Sequence, residues 1–141
     1  MKTIADLHIH SRFSMATSKE GTPENLDFWA RKKGISLIGT GDFTHPVWRE
    51  ELKERLVSEG NGLYHLRDAY VKEESRKFPG EGTHFVVSGE ISSIYKKNGK
   101  TRKVHNVILL PSLEAADAMA QHLEKIGNIH SDGRPILGLD S

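Results

Sequence analysis

Short apolar runs alternate with amphipathic helical segments along this chain, and that alternation restricts it to an α/β fold. The first helix is the best defined, because Thr22 is a typical N-cap, Pro23 fits the first turn and Gly34 follows the last apolar position. A second helical pattern begins at Pro46 and is predicted to continue to Gly60.

The apolar runs between the helices predict strands of a mostly buried sheet. Asn98-Gly99 predicts a two-residue hairpin turn, and Ser112 begins a third helix whose apolar stripe lasts to Gly127. Residues 60–83 are interpreted as a long connection with a helical-looking piece at residues 66–71. The predicted strands are residues 3–10, 35–40, 84–90, 91–97 and 100–110.

The composition excludes several kinds of site. Cysteine is absent, so a transition metal would have to be held by histidine and carboxylate side chains. The 20 basic and 19 acidic side chains give a formal net charge of +1, so nucleic-acid binding would need a local basic cluster. Asp6 and His8 interrupt the first apolar residues, which disfavours a signal peptide or a membrane span. We therefore expect a cytoplasmic protein with no membrane partner.

Ligand-type side chains occur where the predicted strands end. His8 and His10 are two residues apart on a strand, so both imidazoles can face one divalent ion. Asp42 and His45 follow the second strand, and Glu90 is predicted to end the third. His105 lies where the return arm of the hairpin becomes apolar. By itself the histidine pair is explained equally well by surface or core histidines, and the other positions give it weight.

Four segments resemble the motifs of the PHP (polymerase and histidinol phosphatase) superfamily of metal-dependent phosphoesterases. They are Asp6-Leu7-His8-Ile9-His10-Ser11, Thr40-Gly41-Asp42 with His45, Gly89-Glu90-Ile91-Ser92 and Val104-His105-Asn106-Val107. Within the superfamily, residues 6–19 and 39–46 are similar to the endonuclease Q branch, whose members cut DNA beside deaminated bases. The resemblance extends over residues 3–141.

The resemblance implies the N-terminal portion of a distorted (β/α)7 barrel, with residues 1–141 forming a partial PHP domain. It implies up to three divalent ions, zinc or alternatively manganese, at the carboxyl ends of the strands. Carried over by position, His8 and His10 would hold one ion, Glu90 would bridge two and His105 would bind another.

Two departures from the family pattern shape these expectations. Phe43 stands where the family has a histidine after Asp42, so the imidazole role is assigned to His45. The family's last histidine and its Asp-x-His motif are not found in residues 1–141. We therefore expect a truncated domain with fewer than three ions, and the apolar segment at residues 135–141 is consistent with a cut inside continuing structure.

Two polar regions are candidates for binding a phosphate backbone. The loop after the first strand offers Ser11, Arg12, Ser14 and Lys19, although a merely solvated loop explains them as well. The hairpin at residues 96–103 carries five basic side chains and no acid. Those side chains, Lys96, Lys97, Lys100, Arg102 and Lys103, would contact DNA or else only keep the hairpin soluble. Trp29 and Trp48 lie on helical apolar stripes and are expected in the core rather than as base-stacking surfaces.

Three functions are consistent with the sequence. The leading hypothesis is metal-dependent phosphodiester hydrolysis, as part of an endonuclease acting on DNA with deaminated or damaged bases. The first alternative is a phosphatase acting on a small phosphomonoester. The second is a catalytically silent metal-binding accessory module, which would explain the missing ligands, and this chain alone is not assumed to be active.

Overall fold

The computed structural model describes residues 1–138, which form a mixed α/β fold with a seven-stranded sheet and three α-helices. Residues 139–141, the end of the apolar closing segment, lie outside the described residues. The strands are β1 (Ala5–Asp6), β2 (Leu37–Gly39), β3 (Leu56–Ser58), β4 (Tyr64–Leu66), β5 (His84–Lys97), β6 (Lys100–Leu110) and β7 (Ile136–Leu137). The helices are α1 (Pro23–Lys33), α2 (Pro46–Arg55) and α3 (Leu113–Glu124).

The long strand β5 organises the sheet. Residues 84–86 of β5 pair in parallel with β2, and residues 84–85 pair antiparallel with β4. Residues 87–97 pair antiparallel with β6, and residues 92–93 pair in parallel with β7. Strand β1 adds to β2 in parallel, and β3 adds to β4 antiparallel. Gly39 lies opposite Val86, so the segment that follows β2 continues alongside the next residues of β5, toward Glu90.

The predicted starts of α1 and α3, the predicted end of α1 and the hairpin turn are confirmed, whereas α3 ends at Glu124 and not at Gly127. The Thr22 hydroxyl accepts from the backbone of Asn25 at the start of α1, and Gly34 ends that helix with φ +71°. Ser112 caps α3 in the same way. Asn98 and Gly99 have φ +53° and +71°, the pair of left-handed conformations that a two-residue hairpin turn requires.

The second helix is shorter than predicted. It ends at Arg55 instead of Gly60, because Leu56 adopts an extended backbone and pairs with Leu66 across β3 and β4. The connection at residues 60–83 contains β4 and two short 3₁₀ helices, Asp68–Tyr70 and Glu73–Lys77. Strands β3, β4 and β7 are two or three residues long, which is too short to show a hydrophobic period in the sequence.

The first strand is also shorter than predicted, and the third is longer. Residues 7–10 do not continue β1, although they still lie close to Gly39 at the end of β2 and to Gly41 in the segment that follows it. A Cβ atom at Gly39 would be 2.8 Å from the Leu7 carbonyl oxygen, and one at Gly41 would be 2.4 Å from that of Ile9. Glu90 does not end a strand, since β5 continues unbroken to Lys97.

The hydrophobic core lies between helices α2 and α3 and strand β5, and it includes their buried side chains. Trp48, Phe85 and Phe43 are fully buried. The prediction for Trp29 is wrong: its side chain is 50% exposed.

Arg49 and Lys53 of α2 form ion pairs of 3.0 and 2.8 Å with Asp117 of α3, which fixes the two helices to each other. No helix among residues 1–138 has the length and apolar character needed to span a membrane.

Gly41 tests the close approach between the segments after β1 and β2. We expect Gly41→Ala to lower the free energy of unfolding by more than about 2 kcal/mol, because left-handed strain is added to a clash with the Ile9 carbonyl. Gly60 has a similar φ of +78° and open space around it, so Gly60→Ala should cost only about 1–2 kcal/mol. Urea denaturation in metal-free buffer measures both, and equal losses would show that the contact does not matter.

Candidate metal centre

Glu90 is the centre of a cluster of three histidines. Its Oε2 atom lies 2.7 Å from His8 Nε2 and 3.1 Å from His10 Nε2, and its Oε1 atom contacts His105 Nδ1. His105 reaches it from β6, where it lies opposite Ser92 and therefore diagonal to Glu90 on the same face. The two carboxylate oxygens thus face different histidines, with His8 and His10 on one side and His105 on the other.

The environment of Glu90 keeps it ionised. Burial raises the pKa of this carboxyl group, but hydrogen bonds from His105 and His8 and the charge of the His10 and His8 imidazoles outweigh that effect and lower the pKa from 4.5 to about 2. Its side chain is buried, whereas those of His8 and His105 are half exposed. Glu90 is therefore a buried anion, and the half-exposed imidazoles of His8 and His105 lie between it and solvent.

Asp42 orients the second imidazole of the pair. His10 Nδ1 donates to Asp42 Oδ1 at 3.2 Å, which leaves His10 Nε2 directed at Glu90. Asp42 is fully buried and has φ +53°. It also accepts hydrogen bonds from the Ser11 amide at 2.7 Å, the Ser11 hydroxyl at 2.5 Å and the Ser14 hydroxyl at 2.9 Å. These hydrogen bonds fix the carboxylate of Asp42, and Asp42 in turn fixes the orientation of the His10 ring.

His8, His10 and Glu90 have a donor set and a spacing that fit one divalent ion. One ligand atom from each lies within 4.8 Å of the others. A four-coordinate zinc ion with bonds of about 2.0–2.2 Å holds its ligand atoms roughly 3.3–3.6 Å apart, so small side-chain rotations would create that geometry. Two imidazole nitrogens and one carboxylate oxygen suit zinc and also manganese.

The structure gives His45 a different position from the one predicted. It is the N-cap of α2, where its Nδ1 atom accepts from the Trp48 amide at 3.4 Å, and its ring stacks on Phe13 at 4.2 Å. Desolvation by burial lowers the pKa of His45. It does not belong to the group formed by His8, His10 and Glu90. Phe43, next to Asp42, is buried against Gly89 and leaves no imidazole at that point.

Three of the four predicted phosphate-binding side chains are engaged with carboxylates of the protein. Ser11 and Ser14 are buried on Asp42. Arg12 donates to Glu51 at 2.8 Å. Lys19 is exposed in the loop before α1 and is the member of the set that stays accessible in this structure.

The hairpin separates its basic side chains onto two faces. Side chains alternate along a strand and registered partners share a face, so Lys96 and Lys103 lie on the face of Glu90 and His105. The other three basic side chains, Lys97, Lys100 and Arg102, lie on the opposite face. The tip is five residues from His105, about 17 Å along the strand.

Sequence reasoning missed Arg134. With Lys103, His105 and Ser92 it lines a cavity of about 180 Å³ beside the cluster. Arg134 reaches this cavity because β7 pairs with the part of β5 that contains Ser92. Its only sequence signal was a turn, Ser131-Asp132-Gly133, and a turn does not show which strand the following residues join.

A larger cavity, of about 510 Å³, lies away from the cluster at the amino-terminal end of β5. It is lined by His65, His84 and Glu59 together with arginines and acids that largely balance one another in charge. His84 and His65 contact Glu59 at 2.9 and 3.6 Å, but these three are not close enough together to hold one ion. Size alone therefore does not identify the chemical site.

No family model matches this chain. An uncharacterized protein of Methanocaldococcus jannaschii is 35% identical over 131 residues, which are 92% of this chain but 13% of that protein. This chain therefore spans about one eighth of that relative's length.

Two solved structures are similar over nearly the whole chain. The lesion-specific endonuclease PfuEndoQ from Pyrococcus furiosus is 29% identical with a TM-score of 0.75, and the match covers 97% of this chain and 29% of that one. Endonuclease Q in complex with a 27-mer duplex bearing an abasic lesion at its active site is 29% identical with a TM-score of 0.70, over 96% and 29%.

The role of Glu90 in metal binding can be tested by comparing it with Glu59, another glutamate that contacts histidines. We expect Glu90→Gln to weaken zinc binding by at least about 100-fold, because a neutral amide replaces the charged oxygen that His8 and His10 share. Glu59→Gln removes the other glutamate that contacts two histidines and should leave zinc binding unchanged. Titration calorimetry measures both affinities, and a similar loss in the two variants would contradict the assignment.

Asp42 should affect both metal affinity and stability. Asp42→Asn should weaken zinc binding about 10–100-fold, since a neutral amide with a single acceptor oxygen orients His10 less firmly than the carboxylate does. It should also lower the free energy of unfolding by about 1–3 kcal/mol, because an amide cannot accept from every donor around it. Asp27→Asn, at a buried carboxyl that pairs with Arg31 on α1, is the control, and its zinc affinity should equal that of the parent.

Proposed function

We propose that this chain is part of a metal-dependent endonuclease that cuts DNA beside a deaminated or damaged base. The observation that carries this proposal is the coincidence of two findings. The chain is similar over 97% of its length to a lesion-specific endonuclease, and its folded structure brings His8, His10 and Glu90 within reach of one ion.

Each residue of the cluster has a definite task in that reaction. A divalent ion bound there would neutralise charge on a phosphoryl oxygen and lower the pKa of a water molecule. His8, His10 and Glu90 Oε2 would hold one ion, and Glu90 Oε1 with His105 would hold a second, so that Glu90 bridges the two. Asp42 keeps His10 in the tautomer whose Nε2 atom is available.

We further propose that the sheet is the N-terminal portion of a distorted (β/α)7 PHP barrel. The parallel order β1, β2 and β5 supports this, because it places the side chains after each strand at one end of the sheet. The remaining ligands of a complete cluster would come from outside residues 1–141. The complete metal cluster, the lesion that the enzyme prefers and the identity of the metal are all part of this proposal.

The electrostatics of one face support a path for DNA. Lys96, Lys103 and Arg134 lie on or beside the face that contains His105. Arg134 and Lys103 share a cavity with His105, so two cations lie next to an expected metal ligand. A phosphodiester backbone passing from the hairpin to Glu90 would meet them first.

A silent metal-binding module is the second candidate. The observation that favours it is that residues 1–138 bring together one three-residue group and not a complete cluster. A phosphatase acting on a small phosphomonoester has no comparable observation in its favour.

Lesion-dependent binding tests the proposal. With zinc present, a duplex containing one abasic site should bind more tightly than the intact duplex, and His8→Ala with His10→Ala should remove that preference. Strand cleavage by this chain alone is not expected, because in this proposal further ligands come from outside residues 1–141. Equal binding of the two duplexes, together with hydrolysis of p-nitrophenyl phosphate, would replace the endonuclease proposal with the phosphatase. Metal binding with neither property would favour the silent module.

The hairpin offers two variants with equal changes in charge. Lys96→Ser with Lys103→Ser should reduce the slope of log K against log salt for duplex DNA by about 1.8, because each lost phosphate contact accounts for ~0.9. Lys97→Ser with Lys100→Ser removes the same charge from the opposite face and should change the slope by less than half as much. Identical slopes in the two variants would show that the face carrying Glu90 has no special role in DNA binding.

A further inference from the structure

An exposed tryptophan lies beside the candidate metal centre. Trp29 is the large aromatic side chain that was expected in the core, yet it is 50% exposed on α1. It lines a cavity of about 210 Å³ together with His10, whose other contacts are Glu90 and Asp42. An aromatic surface that is open to solvent therefore lies next to a candidate ligand of the expected ion.

The cavity is a formed feature of the fold. Its opposite wall is the loop that ends at Gly21, where a Cβ atom would lie 2.8 Å from the Arg12 amide nitrogen. The Arg12 amide donates to the Gly21 carbonyl at 3.3 Å, so this wall is fixed to the segment that carries His10. Asn25, one helical turn before Trp29, donates from Nδ2 to the Glu20 carbonyl at 2.7 Å and closes the end of the cavity.

The size and lining of the cavity suit a flat heteroaromatic ring. Its volume is below the ~300–1,000 Å³ typical of sites for drug-sized ligands, so one ring system fits and a larger ligand does not. Trp29 offers a stacking surface, and Asn25, Ser18 and Glu20 offer hydrogen-bonding groups at the edge. Lys32 Nζ lies over the indole ring, 4.7 Å from its centre, in a cation–π contact.

We infer that this cavity receives one nucleobase of the DNA strand, stacked on Trp29, and so positions the neighbouring phosphodiester at His10 and Glu90. The inference rests on the proposed function, because it takes DNA as the ligand of the centre. It adds a base-binding subsite that would fix which phosphate lies at the cluster. Trp29 is then a positioning residue, and its contribution is to binding and not to the metal.

Two oligonucleotides with equal backbone charge test the inference without any cleavage. Short oligothymidylate should quench the tryptophan fluorescence of the chain, and an abasic oligonucleotide of the same length should not. Trp48 is fully buried and gives a constant background. Trp29→Ala should weaken oligothymidylate binding about 5- to 150-fold, the range for loss of one stacked base, and leave abasic binding unchanged. Trp29→Phe should retain most of the affinity for oligothymidylate.

The controls separate this inference from the proposed function. Ile126→Ala removes another exposed apolar side chain, outside the cavity, and should bind both oligonucleotides as the parent does. The measurement is made in metal-free buffer, so failure of metal binding in the cluster variants does not affect it. Equal affinity of the parent for the two oligonucleotides would overturn the inference even if Trp29→Ala did not fold. So would equal affinity of a folded Trp29→Ala and the parent for oligothymidylate.

Discussion

The buried carboxylate of Asp42 is the interaction on which the rest of the site depends. A charge that is fully removed from water is stable only when hydrogen-bond donors surround it, and here the donors come from Ser11, Ser14 and His10. Gly133 packs directly over it, since a Cβ there would be 2.5 Å from the carboxyl group. One side chain therefore fixes the loop after β1, the loop after β2 and the segment before β7 in a single arrangement.

That arrangement explains how a weak sequence pair becomes a candidate metal centre. His8 and His10 follow a two-residue strand, and the segment containing them would be free to move if it were held by β1 alone. The Nδ1 atom of His10 contacts Asp42 and its Nε2 atom contacts Glu90, so the orientation of the imidazole ring is fixed from both sides. Glu90 is itself held in the middle of the longest strand, with neighbours pairing on both sides of β5. The ligands are thus supported by the sheet and not by loops alone.

In the proposed function, two regions beside the candidate site would contact different parts of DNA. The face of the hairpin with Lys96 and Lys103 would supply positive charge for the phosphate backbone. The cavity at Trp29 would supply an aromatic surface for a base. The two regions approach the cluster through different histidines, His105 from the hairpin and His10 from α1. A strand bound by both would be held on either side of Glu90.

The sequence by itself determined the features that depend on neighbouring residues. Local backbone preferences predict the N-caps of α1 and α3, the Asn98-Gly99 turn and the α/β class. His8, His10 and Glu90 were predicted as metal ligands from their positions on the predicted strands and from the family resemblance. Tertiary structure alone decided the features that depend on distant partners. Leu56 fits the helical pattern of the sequence but pairs with Leu66 in a strand. Trp29 is half exposed, although its spacing in the sequence fits the buried side of the helix. The pairing of Arg12 with Glu51 and of Asp42 with His10 was likewise decided by the fold, because a buried or paired charge takes the partner that the tertiary structure brings to it.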